Sequence, residues 1–145
     1  MIANIKKQMS TSKHRRVTKQ FCHVLEALQS LKHPTADEVY ELVRKEMPNI
    51  SLGTVYRNLE QLSSFGMIQK LKGTDRQCRF DLEIKPHDHI RCCRCGVVVD
   101  VPAVVSQKCH IAFPQVGGFN LMTYTLEFQG VCDQCQKKDK DVDVE

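Results

Sequence analysis

The stretch His87-Asp88-His89-Ile90-Arg91-Cys92-Cys93-Arg94-Cys95 places two kinds of metal-binding side chain in one short segment. The imidazole and carboxylate groups at its start suit iron, manganese or zinc, whereas the paired thiolates of Cys92 and Cys95 suit zinc. The stretch therefore predicts that one segment contributes to two metal sites of different character. The remaining ligands must come from other parts of the chain.

A second Cys-x-x-Cys pair, Cys132 and Cys135, lies towards the C-terminal end. With Cys92 and Cys95 it predicts a closed, tetrahedral zinc site of the structural type, which can supply folding energy directly. The alternative is a redox-active Cys-x-x-Cys. Two pairs without a thioredoxin-like βαβ setting favour zinc. The other cysteines fall outside this pattern: Cys22, Cys78, Cys93 and Cys109.

Candidate ligands for a nitrogen and oxygen site are spread more widely. His87 and His89 are two residues apart and point to one face if they lie on a strand. Asp100 ends the next predicted strand, Asp81 ends a predicted hairpin, and His33 lies in a turn between two predicted helices. A lone His or Asp is more often a surface or capping residue, so the spacing alone leaves open whether these five residues meet.

Composition limits the class of protein. The chain has 145 residues, of which 41% are hydrophobic and 26% charged, as in a soluble globular protein. No apolar run approaches the roughly 18 residues of a membrane span, and no secretory signal is recognisable, so we expect a cytoplasmic protein.

Charge is distributed unevenly along the chain. Residues 1–82 hold 14 Lys and Arg against 8 Asp and Glu, whereas residues 83–145 hold 7 against 9. This asymmetry favours nucleic-acid binding by the first half.

Three helices are predicted in the first half. Thr18 caps a helix that runs to about Leu31, and Thr35 with Glu38 forms a capping box for a second. Ser51 caps a third helix, with apolar residues at helical spacing in all three. Residues 67–71 and 78–82 then read as a β-hairpin.

Three helices followed by a hairpin on a basic background predict a winged helix-turn-helix. The third helix would enter the major groove of double-stranded DNA. A small α+β domain without a DNA role is the alternative. The basic residues before Thr18 form either a frayed terminus or an arm that contacts phosphates. The candidate DNA-binding residues are Arg16, Thr54, Tyr56 and Arg57.

The predicted division of the chain is residues 1–82 for the DNA-binding domain, 83–86 for a linker, and 87–136 for a small α/β domain. A charged tail, 137–145, is predicted to be disordered. Within the second domain we expect a strand over 97–101, a short helix over 102–113, and a half-buried strand over 121–129.

These motifs in this order resemble the ferric uptake regulator (Fur) family of metal-dependent repressors. The resemblance rests on a winged helix, His-x-His-x-x-Cys-x-x-Cys-Gly from His87, a strand ending in Asp100, and Gly-Val-Cys-x-x-Cys from Gly130. The segments 33–40 and 54–59 are similar to two further family signatures. The resemblance covers about residues 13–136.

The resemblance implies an α+β fold, an N-terminal winged helix-turn-helix followed by a small α/β dimerisation domain. It also implies a homodimer bound to a palindromic operator, with no enzymatic turnover. The chain is most similar to the peroxide-sensing PerR branch, because Asp81 and Asp100 stand where iron sensors usually carry Glu. In that branch Fe²⁺ or Mn²⁺ is held by the residues matching His33, Asp81, His87, His89 and Asp100.

Peroxide sensing in that branch proceeds by oxidation of the residues matching His33 and His87. A metal held by both halves of the chain would fix their orientation, and an oxidised imidazole would release it. Two alternatives remain at this point: an iron- or zinc-level sensing repressor of the same family, and a thiol redox switch at Cys92 and Cys95.

Overall fold

The computed structural model describes residues 18–73, 78–106, 115–120 and 126–142. The chain divides into two compact units, Met1–Ile84 and Lys85–Glu145, so the boundary lies within the predicted linker. Among the residues described, no helix is both long and apolar enough to span a membrane.

Three capped helices form most of the first unit: α1 (Lys19–Ser30), α2 (Ala36–Glu46) and α3 (Leu52–Ser64). Thr18 Oγ1 accepts the N–H of Phe21 at 3.2 Å. Ser51 Oγ likewise accepts the N–H of Thr54 at 3.2 Å. Thr35 and Glu38 form the predicted capping box. The predicted starts of all three helices are therefore confirmed. They could be predicted because a cap depends only on residues that are close in sequence.

The core of the first unit is built from the inward faces of these helices and one strand. Its most deeply buried side chains are Val24, Leu25, Leu28, Val39, Val55, Leu59, Leu62 and Phe80. Each contributes about 1.5–3 kcal/mol through burial of apolar surface. The wing consists of β1 (Gln69–Leu71) and β2 (Arg79–Asp81), paired antiparallel with Gln69 opposite Asp81. Residues 74–77 of its turn lie outside the described part.

The second unit contains a three-stranded sheet. Its strands are β3 (His89–Cys92), β4 (Val98–Asp100) and β7 (Glu127–Gly130), in the order β4-β3-β7. β4 pairs antiparallel with β3, and β7 pairs parallel with it. A short helix, α4 (Ala103–Ser106), follows β4.

Strands β5 (Gln115–Val116) and β6 (Phe119–Asn120) pair antiparallel and form a small hairpin. This hairpin was not predicted from the sequence. Its turn is Gly117-Gly118, with φ of 55° and 82°. Two left-handed residues in a two-residue loop favour glycine strongly. Of the helix expected over 102–113, residues 107–113 lie outside the described part, as do residues 121–125 of the strand expected over 121–129.

The last element is helix α5 (Asp133–Val142), so the prediction of disorder from residue 137 is wrong for residues 137–142. The carbonyl of Cys132 accepts the N–H of Gln136 at 3.0 Å, and Asp133 lies in the first turn, where negative charge is favourable. Cys132 and Cys135 fix this first turn within a cysteine cluster, which offsets the cost of nucleating a helix. A charged sequence can then propagate it.

Candidate metal centres and nucleic-acid interface

The two Cys-x-x-Cys pairs meet because of strand register. In the parallel pairing of β3 with β7, Cys92 lies opposite Gly130, so the segments that leave both strands emerge side by side. The N–H of Cys93 donates to the carbonyl of Gly130 at 2.8 Å and holds them together. The Sγ atoms of Cys92, Cys95, Cys132 and Cys135 all lie within 4.8 Å of one another.

The geometry of this cluster fits a tetrahedral zinc ion. A Zn–S bond of about 2.3 Å places the sulfurs of a Cys₄ site about 3.8 Å apart. The Sγ atoms of Cys95 and Cys132 are 3.6 Å apart, close to that spacing and far from the roughly 2.05 Å of a disulfide. Gly96 closes the turn after Cys95 with φ of 71°, a backbone conformation that favours glycine. Cys93 is exposed and stands outside the cluster.

The electrostatics of the cluster also favour a cation. The backbone N–H of Cys132 donates to Cys92 Sγ at 3.4 Å, and this with other backbone donors lowers the pKa of Cys92 to about 6. In contrast, a hydrogen bond with Cys132 and loss of hydration raise the pKa of Cys135 to about 12. One thiolate is therefore favoured, but four adjacent thiolates require a positive ion to neutralise them.

The first unit holds one histidine and one aspartate of the predicted nitrogen and oxygen ligands. His33 lies in the turn between α1 and α2, and its Nε2 is 3.6 Å from Asp81 Oδ2 at the end of β2. Both side chains are buried, at 5% and 9% exposure. The N–H of Glu83 donates to the other oxygen, Asp81 Oδ1, at 2.9 Å, which orients the carboxylate.

The second unit brings together His87, His89 and Asp100. His89 lies opposite Asp100 in the antiparallel register of β3 and β4. His87 precedes the strand instead of lying on it, yet the two imidazole rings are 4.3 Å apart. Asp100 Oδ1 is 3.1 Å from His87 Nε2 and 3.6 Å from His89 Nε2. The structure therefore brings these three predicted side chains together, although His87 precedes the strand on which it was predicted to lie.

A hydrogen bond to the main chain orients His87 so that its Nε2 faces Asp100. The Nδ1 atom of His87 lies 2.8 Å from the carbonyl oxygen of Lys85, which can only accept, so Nδ1 carries the proton. In a neutral imidazole Nε2 then holds a lone pair, and it faces the carboxylate oxygen of Asp100. A protonated imidazole would donate from Nε2 to this oxygen, whereas in the neutral form both atoms offer lone pairs that a metal cation would bind. A backbone acceptor on the far nitrogen is also how metal-bound histidines are usually held.

The outer face of α3 is the candidate nucleic-acid interface. Val55, Leu59 and Leu62 are fully buried, whereas Tyr56 and Arg57 are exposed. Thr54, also a predicted DNA-binding residue, is half-buried, and its Oγ1 accepts a hydrogen bond from Arg57 Nη2 at 3.1 Å.

Two further points concern the DNA-contact candidates. Loss of hydration raises the pKa of Tyr56, and the Asp37 carboxylate raises it further, so this phenol stays protonated at neutral pH. Arg16 lies outside the described residues.

The sequence did not predict the ion pair between Arg91 and Glu127, which lies beside His89 in the sheet. Arg91 is buried, and its Nε donates to Glu127 Oε1 at 2.7 Å. Glu127 lies opposite His89 in the β3–β7 register, so the pair joins the strand that carries His89 to its parallel neighbour. The signal was the alternation of β3, which places Arg91 on the same face as His89.

Comparison with known sequences identifies the family. The model of the ferric uptake regulator family matches residues 12–129. The chain belongs to the ferric uptake regulator family. A second match, to the Syntaxin-5 N-terminal, Sly1p-binding domain, covers residues 125–138 alone and shows no further family.

Relatives in this family include peroxide regulators. The chain is 36% identical to the peroxide operon regulator of Bacillus subtilis over 86% of each chain. The structure of the ferric uptake regulator of Vibrio cholerae aligns with a TM-score of 0.70 at 26% identity, covering 91% of this chain and all of that one. The peroxide stress regulator of Campylobacter jejuni aligns with a TM-score of 0.60 at 25% identity, covering 93% and 98%. The predicted family and fold class are confirmed.

Proposed function

We propose that this member of the ferric uptake regulator family is a metal-dependent DNA-binding repressor that senses hydrogen peroxide. The observation that carries the proposal is the convergence of His87, His89 and Asp100, in which Asp100 Oδ1 lies 3.1 Å from His87 Nε2 and 3.6 Å from His89 Nε2. Nitrogen and oxygen donors of this kind suit Fe²⁺ or Mn²⁺. The likeness to a peroxide operon regulator supports the choice of signal.

The full ligand set of the regulatory metal is proposed to be His33, Asp81, His87, His89 and Asp100. Three donors from the second unit leave an Fe²⁺ or Mn²⁺ ion with open coordination positions. The buried His33–Asp81 pair of the first unit offers two more donors of the same chemistry. A metal that binds both units favours one orientation of the DNA-binding unit, and so selects a state that was already accessible. Moving such an equilibrium from 1:99 to 99:1 requires about 5.5 kcal/mol of differential binding.

A homodimer would present two copies of α3 to a palindromic operator, in double-stranded DNA. Tyr56 and Arg57 are exposed on α3, where a base edge or phosphate can reach them. In support of self-association, the second unit exposes several large apolar side chains: Val99, Val104, Val105 and Phe119.

The Cys₄ cluster is proposed to hold a structural zinc ion. Its four thiols surround a site of zinc dimensions, and they anchor the end of β3 to the start of α5. The zinc would contribute to folding of the second unit and take no part in the response to peroxide.

The peroxide response is proposed to be oxidation of His33 or His87. Fe²⁺ held by these residues would catalyse cleavage of the peroxide O–O bond, so that one oxygen atom is added to the imidazole ring, which is oxidised by two electrons, and the other leaves as water. Mn²⁺ would fill the site without this reaction. An oxidised imidazole would be a poor ligand, so the metal would no longer fix the orientation of the DNA-binding unit. The DNA would then be released. Iron- or zinc-level sensing instead predicts that DNA is released only when the metal is removed. A thiol switch predicts a disulfide between Cys92 and Cys95 with both imidazoles intact.

Metal-dependent binding to DNA tests the core of this function. A duplex is first selected from a random pool by manganese-loaded protein, and its affinity is then measured by fluorescence anisotropy with and without Mn²⁺. We expect tight DNA binding by the wild-type protein to require Mn²⁺. The His87→Asn variant should bind the duplex weakly both with and without Mn²⁺. His23→Asn is the matched control, because His23 pairs with Glu26 on α1 and touches neither metal group. Metal-independent binding of the wild-type protein would contradict the proposal.

A further inference from the structure

Arg79 is a buried arginine that the proposed function does not use. It is 8% exposed, on strand β2. Its Nη1 donates to the main-chain carbonyl of His33 at 2.7 Å and to Glu38 Oε2 at 3.2 Å. The same oxygen of Glu38 accepts the N–H of Thr35 at 2.8 Å in the capping box of α2. One guanidinium therefore joins the residue that carries a candidate ligand to the start of a helix.

The backbone at His33 needs such support. Its φ is 44°, in the left-handed region that residues with a Cβ rarely adopt. Strand β2 holds the turn at successive points: Arg79 binds the carbonyl of His33, and the N–H of Phe80 donates to the carbonyl of Pro34 at 2.9 Å. Thr35 also forms a β-bridge with Arg79. The left-handed conformation persists because β2 fixes the residues around it.

The same strand carries the other ligand candidate of this unit. Arg79 and Asp81 are two residues apart on β2, so their side chains share a face of the wing. Asp81 Oδ2 lies 3.6 Å from His33 Nε2. The strand thus supplies one ligand and, through Arg79, sets the position of the other.

We propose that Arg79 is a positioning residue for the regulatory metal site. It holds His33 in its left-handed conformation, so that Nε2 stays directed at Asp81, and it ties that geometry to the N-terminus of α2 through Glu38. The inference rests on the proposed role of His33 as a metal ligand. Groups that orient metal ligands in this way typically change metal affinity about 10- to 100-fold when removed.

The test compares variants of the full-length, zinc-containing protein by Mn²⁺ titration and by the visible absorption spectrum of bound Co²⁺. We expect Arg79→Met to weaken Mn²⁺ binding at least about tenfold and to shift the Co²⁺ bands, because the histidine is displaced. Arg79→Lys, which keeps the charge and a donor, should recover part of both. Zinc content should stay at the wild-type value in each.

Two controls separate positioning from stability. Thr35→Ala removes the cap of α2 but leaves the bond from Arg79 to the carbonyl of His33. It should lower the melting temperature while Mn²⁺ affinity and the Co²⁺ spectrum stay as in the wild type. Arg44→Met removes an exposed arginine whose Nη1 is also 3.2 Å from a carboxylate, that of Glu41, and should alter neither property.

The outcomes are distinguishable. His33→Asn tests the premise, since asparagine tolerates the left-handed region but supplies no imidazole. If His33→Asn bound Mn²⁺ as tightly as the wild type, His33 would not be a ligand and the proposed ligand set would fail. If His33→Asn weakened binding while Arg79→Met behaved like Thr35→Ala, the ligand set would stand and the positioning role of Arg79 would be overturned.

Discussion

Replacing Glu38 with alanine should destabilise the first unit far more than replacing Glu41. Both residues lie on α2, and each has a carboxylate oxygen 3.2 Å from an arginine nitrogen. The difference is burial. The side chain of Arg79 is 10% exposed, whereas those of Arg44 and Glu41 are 51% and 64% exposed. Exposed pairs of this kind contribute roughly 0–0.5 kcal/mol.

The magnitude for Glu38→Ala comes from two lost interactions. Loss of its capping-box bond to the N–H of Thr35 costs about 0.5–1 kcal/mol. Arg79 keeps its bond to the carbonyl of His33 but loses the bond to the Glu38 carboxylate, and a hydrogen bond to a charged group contributes about 1.5–3 kcal/mol. Because the Glu38 side chain is itself 51% exposed, water replaces part of that loss. We therefore expect a total of about 2 kcal/mol.

The assay is amide hydrogen exchange of residues 36–46, followed by mass spectrometry, because it reports on α2 without interference from unfolding of the zinc-containing unit. Exchange of the most protected amides should quicken about 30-fold in Glu38→Ala, which corresponds to 2 kcal/mol, and less than about threefold in Glu41→Ala. Equal acceleration in the two variants would show that burial of Arg79 contributes nothing to stability, and the reasoning would be wrong.

Three other predictions address the metal and DNA sites. Cys95→Ser should lose zinc and weaken the dimer, measured by metal content and sedimentation, whereas Cys93→Ser, whose thiol stands outside the cluster, should retain both. Arg57→Ala should weaken operator binding by about 1–3 kcal/mol across a salt series without changing metal affinity; unchanged DNA affinity would remove α3 from the interface. Asp81→Glu should keep metal-dependent DNA binding but blunt release by peroxide in anisotropy measurements; a wild-type response would exclude this carboxylate from the sensing step.

Local signals in the sequence predicted much of the first unit. Thr18, Thr35 and Ser51 are caps, and a cap depends on residues within one turn, so the helix starts could be read directly. The cysteine pairs were equally informative, because Cys-x-x-Cys fixes two ligands by spacing alone. What the sequence could not supply was the parallel register that sets Cys92 opposite Gly130.

Other features depended on contacts between distant residues. Helix α5 was missed because its charged sequence resembles a disordered tail, and only the cysteine cluster at its start explains its order. The buried position of Arg79 follows from a bond to His33, 46 residues away in the chain, which no local pattern indicates. The Gly117-Gly118 turn, by contrast, is a recognised hairpin signal that was overlooked.

The central claim is that peroxide acts through iron at the regulatory site, and intact-mass and peptide-mass analysis after brief exposure to dilute peroxide tests it most directly. Iron-loaded protein should gain one oxygen atom on His33 or His87 in step with loss of DNA binding, while manganese-loaded protein should do neither. Release of DNA with a Cys92–Cys95 disulfide and intact imidazoles would contradict the claim in favour of a thiol switch. Retention of DNA until a chelator removes the metal would contradict it in favour of metal-level sensing.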